Sequence, residues 1–466
     1  MDGSATSWLE PSARNAYRIV ILGGLILMLA ANLPGHLSFD SVIALAEGRS
    51  GVRQTWAPAI VSWLLGRFDD VLDGTGLYVT ASAALIFITL ASLPALRGRV
   101  TWLAPLVALA AIATPQLMVH QGIVWRDVLF ANLVVTGFAL LAQIAQRWEG
   151  RPPFAPALGA FGCFTLAVLV RENGIAVLAV AALALGWTAR GRGLRASLAW
   201  GAGAFVLTLL LAFGVNQAVQ PPRSAPKLRP NAAALILQHY DIVGAKAHDP
   251  AMALDMIARA NPHAPAILAE GARHAYSPER IDGLDLDETV RKTLWRLPDQ
   301  AVSDQWRDVI VHHTGAYLGH RADVFRQVFL TPRIERCLPV HVGVEGPTKL
   351  LAQLGLQSGA ESKDRALADY ARRFYGTPVF SHLTFAVIGL AVAGALLLRR
   401  DPADWAIIGM QVAALGFSAT FFLLAVACDY RYLYLVDLAA IAGALYVAID
   451  PPVGGSRRAS SARRAA

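Results

Sequence analysis

The sequence has few charged residues and very few cysteines. Charged residues occupy 16% of the 466 positions, hydrophobic residues occupy 55%, and the mean hydropathy is +0.46. These values exclude an ordinary soluble domain and are typical of a multi-span membrane protein. Three cysteines cannot form a disulfide framework, although Cys337 and Cys428 fall on the same side of the predicted topology and could pair.

The sequence also lacks the short motifs of several large enzyme classes. No P-loop, GxSxG elbow, HExxH motif or paired CxxC occurs. Eight of the eleven histidines lie between residues 221 and 377, most densely as His312, His313 and His320. Because no second ligand motif accompanies them, we interpret them as solvated or core side chains and predict no metal site from them.

Apolar runs long enough to cross a membrane recur along the chain. About 20 helical residues cross the roughly 30 Å hydrocarbon core of a bilayer. Ten such runs are present: 17–34, 76–96, 101–119, 128–146, 155–171, 174–189, 196–219, 379–398, 404–427 and 433–449. The sequence therefore predicts an all-α multi-pass membrane protein with about ten transmembrane helices.

The net charge of +8 is concentrated in short loops and does not indicate a nucleic-acid partner. Residues 221–377 hold 20 basic and 18 acidic side chains, so this region is nearly neutral. The surplus arginines lie in alternate loops between successive predicted spans, and all face one compartment. They are Arg97, Arg99, Arg147, Arg151, Arg190, Arg192, Arg195, Arg399, Arg400 and, in the tail, Arg457, Arg458, Arg463 and Arg464. The positive-inside rule makes that compartment the cytoplasm, so both terminal segments, 1–16 and 450–466, are predicted to be cytoplasmic.

Two longer regions fall on the opposite, external side. Residues 35–75 follow the first span, and we expect two short helices there along the membrane interface. Residues 220–378 separate spans two to seven, within 76–219, from spans eight to ten, within 379–449. Helical periodicity over 232–242 and 302–329 predicts a mainly helical external domain, large enough for its own core.

Short turns on the predicted external side carry arginines beside carboxylates. They are Arg126–Asp127, Arg171–Glu172 and Asp429–Tyr430–Arg431–Tyr432, and Asp40 falls on the same side. External arginines oppose the usual charge bias, so they need another reason. Guanidinium groups match phosphate oxygens bidentately, and a neighbouring carboxylate could accept a proton from an attacking hydroxyl.

Each of these residues also has an ordinary structural interpretation. Asp40 and Asp127 could cap helices, Arg171 suits a helix C-terminus, and the tyrosines could anchor a helix at the interface. Asp437, about one turn inside the last predicted span, either pairs with a neighbouring helix or lines a site.

Together these residues resemble the GT-C superfamily of membrane glycosyltransferases, in particular bacterial members. The likeness lies in Asp40 after the first span, Trp125–Arg126–Asp127, Arg171–Glu172–Asn173–Gly174 and Arg431–Tyr432. A stretch of the 220–378 region is also similar: Trp306, His312, His313, Tyr317 and Arg321, although Thr314 stands where a proline usually follows the histidine.

The resemblance implies an inverting enzyme of the bacterial inner membrane. It would transfer a sugar from a polyprenyl-phosphate donor to a glycan, lipid or protein acceptor at the external face. Asp40 would be the base, although family members commonly carry an acidic pair in this loop and Asp69–Asp70 is an alternative.

The resemblance further implies that the other site residues bind and stabilise the donor phosphate. Arg126, Arg171 and Arg431 would bind it, with Asp429 and Tyr432 beside them. Asp127 and Glu172 would orient the arginines or bind a divalent metal, if one is needed.

Two other functions fit the membrane architecture. A transporter or lipid flippase would have repeats and polar groups near the midplane, whereas the charges here lie mostly at span ends. A non-catalytic scaffold would use the 220–378 domain to bind a partner.

Overall fold

The computed structural model describes residues 9–55, 57–224 and 231–452. The arginines of the tail, from Arg457 onward, lie outside these residues, as does most of the N-terminal segment. Within them the chain is almost entirely helical, and two short parallel strands, Val52–Arg53 and Arg223–Ser224, pair with each other.

Eight helices are long and apolar enough to cross a membrane within the described residues. They are Ser12–Asn32, Gly76–Leu96, Arg126–Arg147, Glu172–Arg192, Leu194–Val219, His382–Arg399, Pro402–Leu424 and Tyr430–Ile449. Three of them include 3₁₀ turns, four in all: Leu93–Leu96, Glu172–Gly174, Arg190–Arg192 and Tyr430–Leu433. This architecture confirms the predicted all-α multi-pass membrane protein.

The two remaining predicted spans differ from a simple membrane helix. The third is a helix pair, Leu103–Ile112 and Pro115–Gly122, bent by 66°. Pro115 causes the break, because proline disfavours a helical conformation in the residue before it, and Thr114 is extended. The fifth, Phe154–Val170, has only 17 residues because Arg171 is already extended.

The remaining helices lie in the two regions between spans. The first region contains Phe39–Ser50 and Ala59–Val71, the two short helices that were predicted there. The second contains Ala232–His248, Asp255–Ala260, Ala264–His274, Asp282–Leu286, Glu288–Arg296, Asp299–His312, Thr314–Leu330, Ile334–Arg336, Thr348–Leu354, Ser362–Arg372 and Pro378–Phe380. The long helical pattern over 302–329 is interrupted at His313, which leaves the helical conformation.

The charged turns separate into two ends of the helix bundle. At one end, which we call the basic end, Arg97 pairs with Asp401 at 3.1 Å and donates to Asp450 at 2.9 Å. Arg399 pairs with Asp404 at 2.6 Å in the same place. The turns with Asp40, Arg126, Arg171 and Arg431 lie at the opposite end, which we call the site end.

The region between the seventh and eighth predicted spans packs on the site end through backbone contacts. The Leu37 nitrogen donates to the Gly343 oxygen at 2.9 Å, and the Ile281 nitrogen donates to the Val426 oxygen at 2.9 Å. Cys337 and Cys428, whose pairing the sequence left open, form a disulfide. The turn before the last helix is therefore bound covalently to this region.

The two short helices after the first span cross at a pair of glycines. A Cβ atom on Gly48 would lie 2.8 Å from the Gly66 backbone nitrogen and would also meet the Ser62 carbonyl oxygen. These are backbone atoms, so the helices would have to separate. The crossing depends on glycine at both positions.

We expect Gly48→Ala to lower the free energy of unfolding by about 1–3 kcal/mol, the usual result of overpacking. The matched control is Gly23→Ala, because a Cβ on Gly23 meets nothing within 4 Å. Thermal unfolding in detergent micelles measures both variants. Equal melting temperatures would contradict this account of the crossing.

Candidate functional site

Asp40 lies in the first turn of the Phe39–Ser50 helix and points outward. Its side chain is 68% exposed. The residue preceding the helix is Ser38, whose side chain makes no capping bond and instead accepts a hydrogen bond from Trp125 Nε1 at 3.1 Å. Asp40 does not act as the cap that one interpretation of the sequence suggested, so its carboxylate is available for other contacts.

Arg431 is the main partner of Asp40. Its Nη2 donates to Asp40 Oδ2 at 2.8 Å and lies 3.1 Å from Asp429 Oδ2. The guanidinium carbon is 5.2 Å from the centre of the Trp125 ring, a cation–π distance. The Arg431 guanidinium thus joins three segments: the loop after the first span through Asp40, the residue before the Arg126–Arg147 helix through Trp125, and the turn 429–432 through Asp429.

Arg171 and Asp127 form a second, more buried ion pair. Their side chains are 8% and 4% exposed. The Arg171 guanidinium also lies 5.4 Å from the Tyr432 ring centre and 5.8 Å from that of Phe421. Asp127 is therefore bound to an arginine, and it is not the residue that caps its own helix.

The three arginines form one electrostatic cluster with Asp40. Arg126 and Arg171 interact with the Asp40 carboxylate in addition to Arg431, and Glu172 interacts with Arg126 and Arg171. The Nε atoms of Arg171 and Arg431 are buried and have no hydrogen-bond acceptor in the described part of the chain. The cluster keeps donor capacity that its own carboxylates do not use.

Asp40 and Asp429 both contact Arg431, but their pKa values are shifted in opposite directions. The protein packed around Asp40 reduces its hydration and by itself raises its pKa, although 68% of the side-chain surface stays exposed. Arg431, with Arg126 and Arg171, more than offsets this effect, so the pKa is lowered. For Asp429, burial prevails over the arginines and the pKa is raised. Asp40 is thus the carboxylate held in its charged form while remaining open to solvent.

The alternative acidic pair lies among other partners. Asp69 accepts from Arg49 Nε at 2.6 Å and from the Gly74 nitrogen at 2.7 Å. Asp70 pairs with Arg67 at 3.0 Å on an exposed surface. Asp69 therefore forms a structural ion pair with Arg49 within the first loop. Asp40, in the same loop, is the carboxylate that contacts the arginine cluster.

A buried network supports the turn 429–432, which carries Arg431, from inside the bundle. Asp437 accepts from Tyr430 Oη at 2.6 Å and contacts His382 Nδ1 at 2.8 Å, and Tyr430 Oη also accepts from Gln116 Nε2 at 2.9 Å. Asp437 therefore pairs with neighbouring helices, one of its two sequence interpretations. Gln116 and His382 had no sequence signal, because neither belongs to a recognisable motif and each lies near the start of an otherwise mainly apolar segment.

A second buried network holds Ala425, the residue that ends the preceding helix shortly before this turn. Arg321 and Asp241 form a fully buried ion pair. Asp241 accepts from Trp306 Nε1 at 2.7 Å, and Arg321 donates to the Ala425 carbonyl at 2.8 Å. Trp306 and Arg321, singled out by the resemblance, thus converge on Asp241, which sequence reasoning missed.

The histidines do not gather around a common point. His312 contacts Asp308 at 2.8 Å, His313 lies 3.6 Å from Asp249, and His320 contacts Asp241 at 3.1 Å. Among the described residues, no group of three or more His, Cys, Asp or Glu side chains could hold a metal ion. Asp127 and Glu172 therefore belong to no such group, and both interact with arginines.

Comparison with known proteins gives one similar structure. Neither a family model nor a curated protein matches the sequence. The crystal structure of ArnT from Cupriavidus metallidurans bound to undecaprenyl phosphate is similar at 14% identity and a TM-score of 0.33, over 96% of this chain and 78% of that chain. A similarity of this size supports no conclusion about the activity of this chain.

We expect Arg321→Met to lower the free energy of unfolding by about 3–5 kcal/mol, because it leaves Asp241 as an unpaired buried charge. Adding Asp241→Asn should recover a large part of that loss, since the amide oxygen can still accept from Trp306. Denaturant unfolding in micelles measures these variants.

The matched control is Arg372→Met, since Arg372 pairs with Asp369 on the surface, at 64% and 62% exposure. A change within about 0.5 kcal/mol is expected there. A double variant no more stable than Arg321→Met would disprove the buried pair.

Proposed function

We propose that this protein is an inverting membrane glycosyltransferase that uses a polyprenyl-phosphate sugar as donor. The observation that carries the proposal is the meeting of Asp40 with Arg126, Arg171 and Arg431 at one end of the bundle. A base beside several guanidinium groups suits transfer from a phosphate leaving group. The sequence resemblance to GT-C glycosyltransferases points to the same chemistry.

In the proposed reaction, an acceptor hydroxyl attacks the anomeric carbon of the donor sugar. The bond from that carbon to the phosphate oxygen breaks, and polyprenyl phosphate leaves with the bonding electron pair. Asp40 takes the hydroxyl proton. The arginines neutralise the charge that develops on the phosphate, and Asp127 holds Arg171 in place for this role.

The ion pair between Arg431 and Asp40 has a consequence for the base. A carboxylate with a lowered pKa is a weak base, since it holds a proton poorly. A donor phosphate that binds Arg431 competes with Asp40 for the same N–H groups. Donor binding would thus raise the basicity of Asp40 at the moment when a base is needed.

The site end is proposed to face the periplasm. The Cys337–Cys428 disulfide lies next to Asp429, and disulfides persist mainly in oxidising compartments. The basic end would then face the cytoplasm, in agreement with the positive-inside rule. Accessibility labelling of single cysteines introduced at the two ends tests this orientation.

We expect Asp40→Asn to reduce sugar transfer by at least about 10²-fold, because an amide cannot accept the proton. The assay is release of polyprenyl phosphate and formation of glycosylated product by purified protein. Asp70→Asn is the matched control and should retain full activity. Turnover by Asp40→Asn close to that of the unsubstituted protein would remove Asp40 from the mechanism, and flipping of the donor without a covalent product would favour a transporter.

When Arg431 is replaced, the acidic side of the profile of kcat/KM against pH should move to higher pH. Arg431 lowers the pKa of Asp40 against the effect of reduced hydration, so Arg431→Gln should raise that pKa. The residual kcat/KM should then fall at a higher pH than in the unsubstituted protein as acid is added. Arg280→Gln is the control, because Arg280 lies 3.7 Å from Asp429 and does not pair with Asp40. Identical acidic limbs would show that Asp40 is not the titrating base.

A further inference from the structure

The helix Thr314–Leu330 carries apolar side chains on two different faces. One face is buried in the region between the seventh and eighth predicted spans and includes Tyr317, Val324 and Val328. A helix on the surface of a soluble domain usually turns charged and polar side chains outward on its other face. Here the outward side chains are mostly apolar, so the helix departs from that pattern.

These outward side chains follow one line along the helix, which we call the outer apolar face. Its members are Leu318, Ala322, Phe325 and Phe329, at intervals of four, three and four residues. Such intervals place side chains on one side of an α-helix. Leu318 is 45% exposed, Ala322 is also exposed, and the two phenylalanines are half-buried. The described part of the chain therefore covers this face only in part.

A transmembrane span fixes the level of the outer apolar face in the bilayer. Phe325 packs edge-to-face against Phe422 of the span Pro402–Leu424, with 5.9 Å between the ring centres. Asp404, which pairs with Arg399, marks the basic end of this span. Phe422 lies 18 residues further along the helix, or about 27 Å at a rise of about 1.5 Å per residue. Because the hydrocarbon core is about 30 Å thick, Phe422 and Phe325 lie at its edge on the site end.

Lipid-facing leucines of the same span adjoin this contact. Leu423 and Leu424 are 51% and 46% exposed, and a membrane span turns its exposed leucines toward lipid. Arg321, on the buried side of the helix, donates to the Ala425 carbonyl at 2.8 Å and holds the helix against the end of the span. The helix also packs against the span His382–Arg399. It therefore lies across the site end of two spans, where lipid surrounds the bundle.

Charged side chains border the outer apolar face without interrupting it. Arg326 lies beside the face and is exposed, and its long side chain can carry the guanidinium outward to lipid phosphates. Asp323 lies further around the helix and pairs with His248 at 3.1 Å. An apolar face flanked by charges in this way is typical of helices that lie in a membrane interface.

We propose that the helix Thr314–Leu330 lies in the membrane interface at the site end, with its outer apolar face against the acyl chains of the lipid. The region between the seventh and eighth predicted spans then rests on the bilayer along this helix and does not project freely into the aqueous compartment. The proposal uses the level of the spans and does not depend on the proposed transfer reaction.

The experiment measures the depth of a fluorescent label in lipid nanodiscs that contain the full-length protein. In the background variant Cys163→Ala, the remaining native cysteines are those of the Cys337–Cys428 disulfide. Leu318→Cys and Ala322→Cys are each labelled with nitrobenzoxadiazole. The bilayer is palmitoyl-oleoyl phosphatidylcholine with a nitroxide lipid, spin-labelled either at the headgroup or on the acyl chain. We expect both labels to lie about 5–10 Å below the phosphates, so the acyl-chain nitroxide should quench them more strongly.

The matched control is Lys292→Cys, since Lys292 is 53% exposed and pairs with Glu288 at 2.6 Å on a charged surface of the same region. Its label should respond to a water-soluble nitroxide and to neither lipid nitroxide. Only variants that elute as a single species enter the comparison, and two positions on the face guard against one misfolded variant.

Two results would overturn the proposal. Labels at Leu318 and Ala322 that respond to the water-soluble nitroxide as the control does would show that the face is exposed to water. Labels shielded from both lipid and water would show that protein, such as a second copy of the chain, covers the face.

Discussion

The hydrogen bond from Arg431 to Asp40 joins two turns that are 391 residues apart in the chain. The arginine side chain is only 12% exposed, whereas Asp40 is largely open to water. A desolvated charge is costly unless its partners are well placed. Asp429 and the Trp125 ring supply the additional partners, so three distant segments must be positioned correctly before this guanidinium is satisfied.

The surrounding structure restrains the turn that carries Arg431 from two sides. Asp437 holds Tyr430 from within the bundle, and the Arg321–Asp241 pair holds Ala425 from the region between the seventh and eighth predicted spans. Neither network touches the guanidinium of Arg431. The region between the seventh and eighth predicted spans therefore helps to hold the candidate site in place.

The sequence predicted the helical segments well because long apolar runs have one stable solution in a bilayer. It also predicted that Asp40, Arg126, Arg171 and Arg431 share one end of the bundle, since loop charges alternate between compartments. It could not predict which carboxylate pairs with which arginine. Asp127 lies next to Arg126 in the chain but is bound to Arg171, and Asp241 showed no signal because its partners, Trp306 and Arg321, are brought to it by tertiary packing.

The long separation of Asp40 and Arg431 along the chain bears on how the protein is made. Asp40 is synthesised 391 residues before Arg431, so the helices from Gly76–Leu96 to Pro402–Leu424 are made in between. A nascent chain that stops before residue 431 holds an acidic loop without its counter-charge, whatever else has already been inserted. The candidate centre therefore cannot be completed until Arg431 has been made, and a chain terminated anywhere between the two residues lacks it.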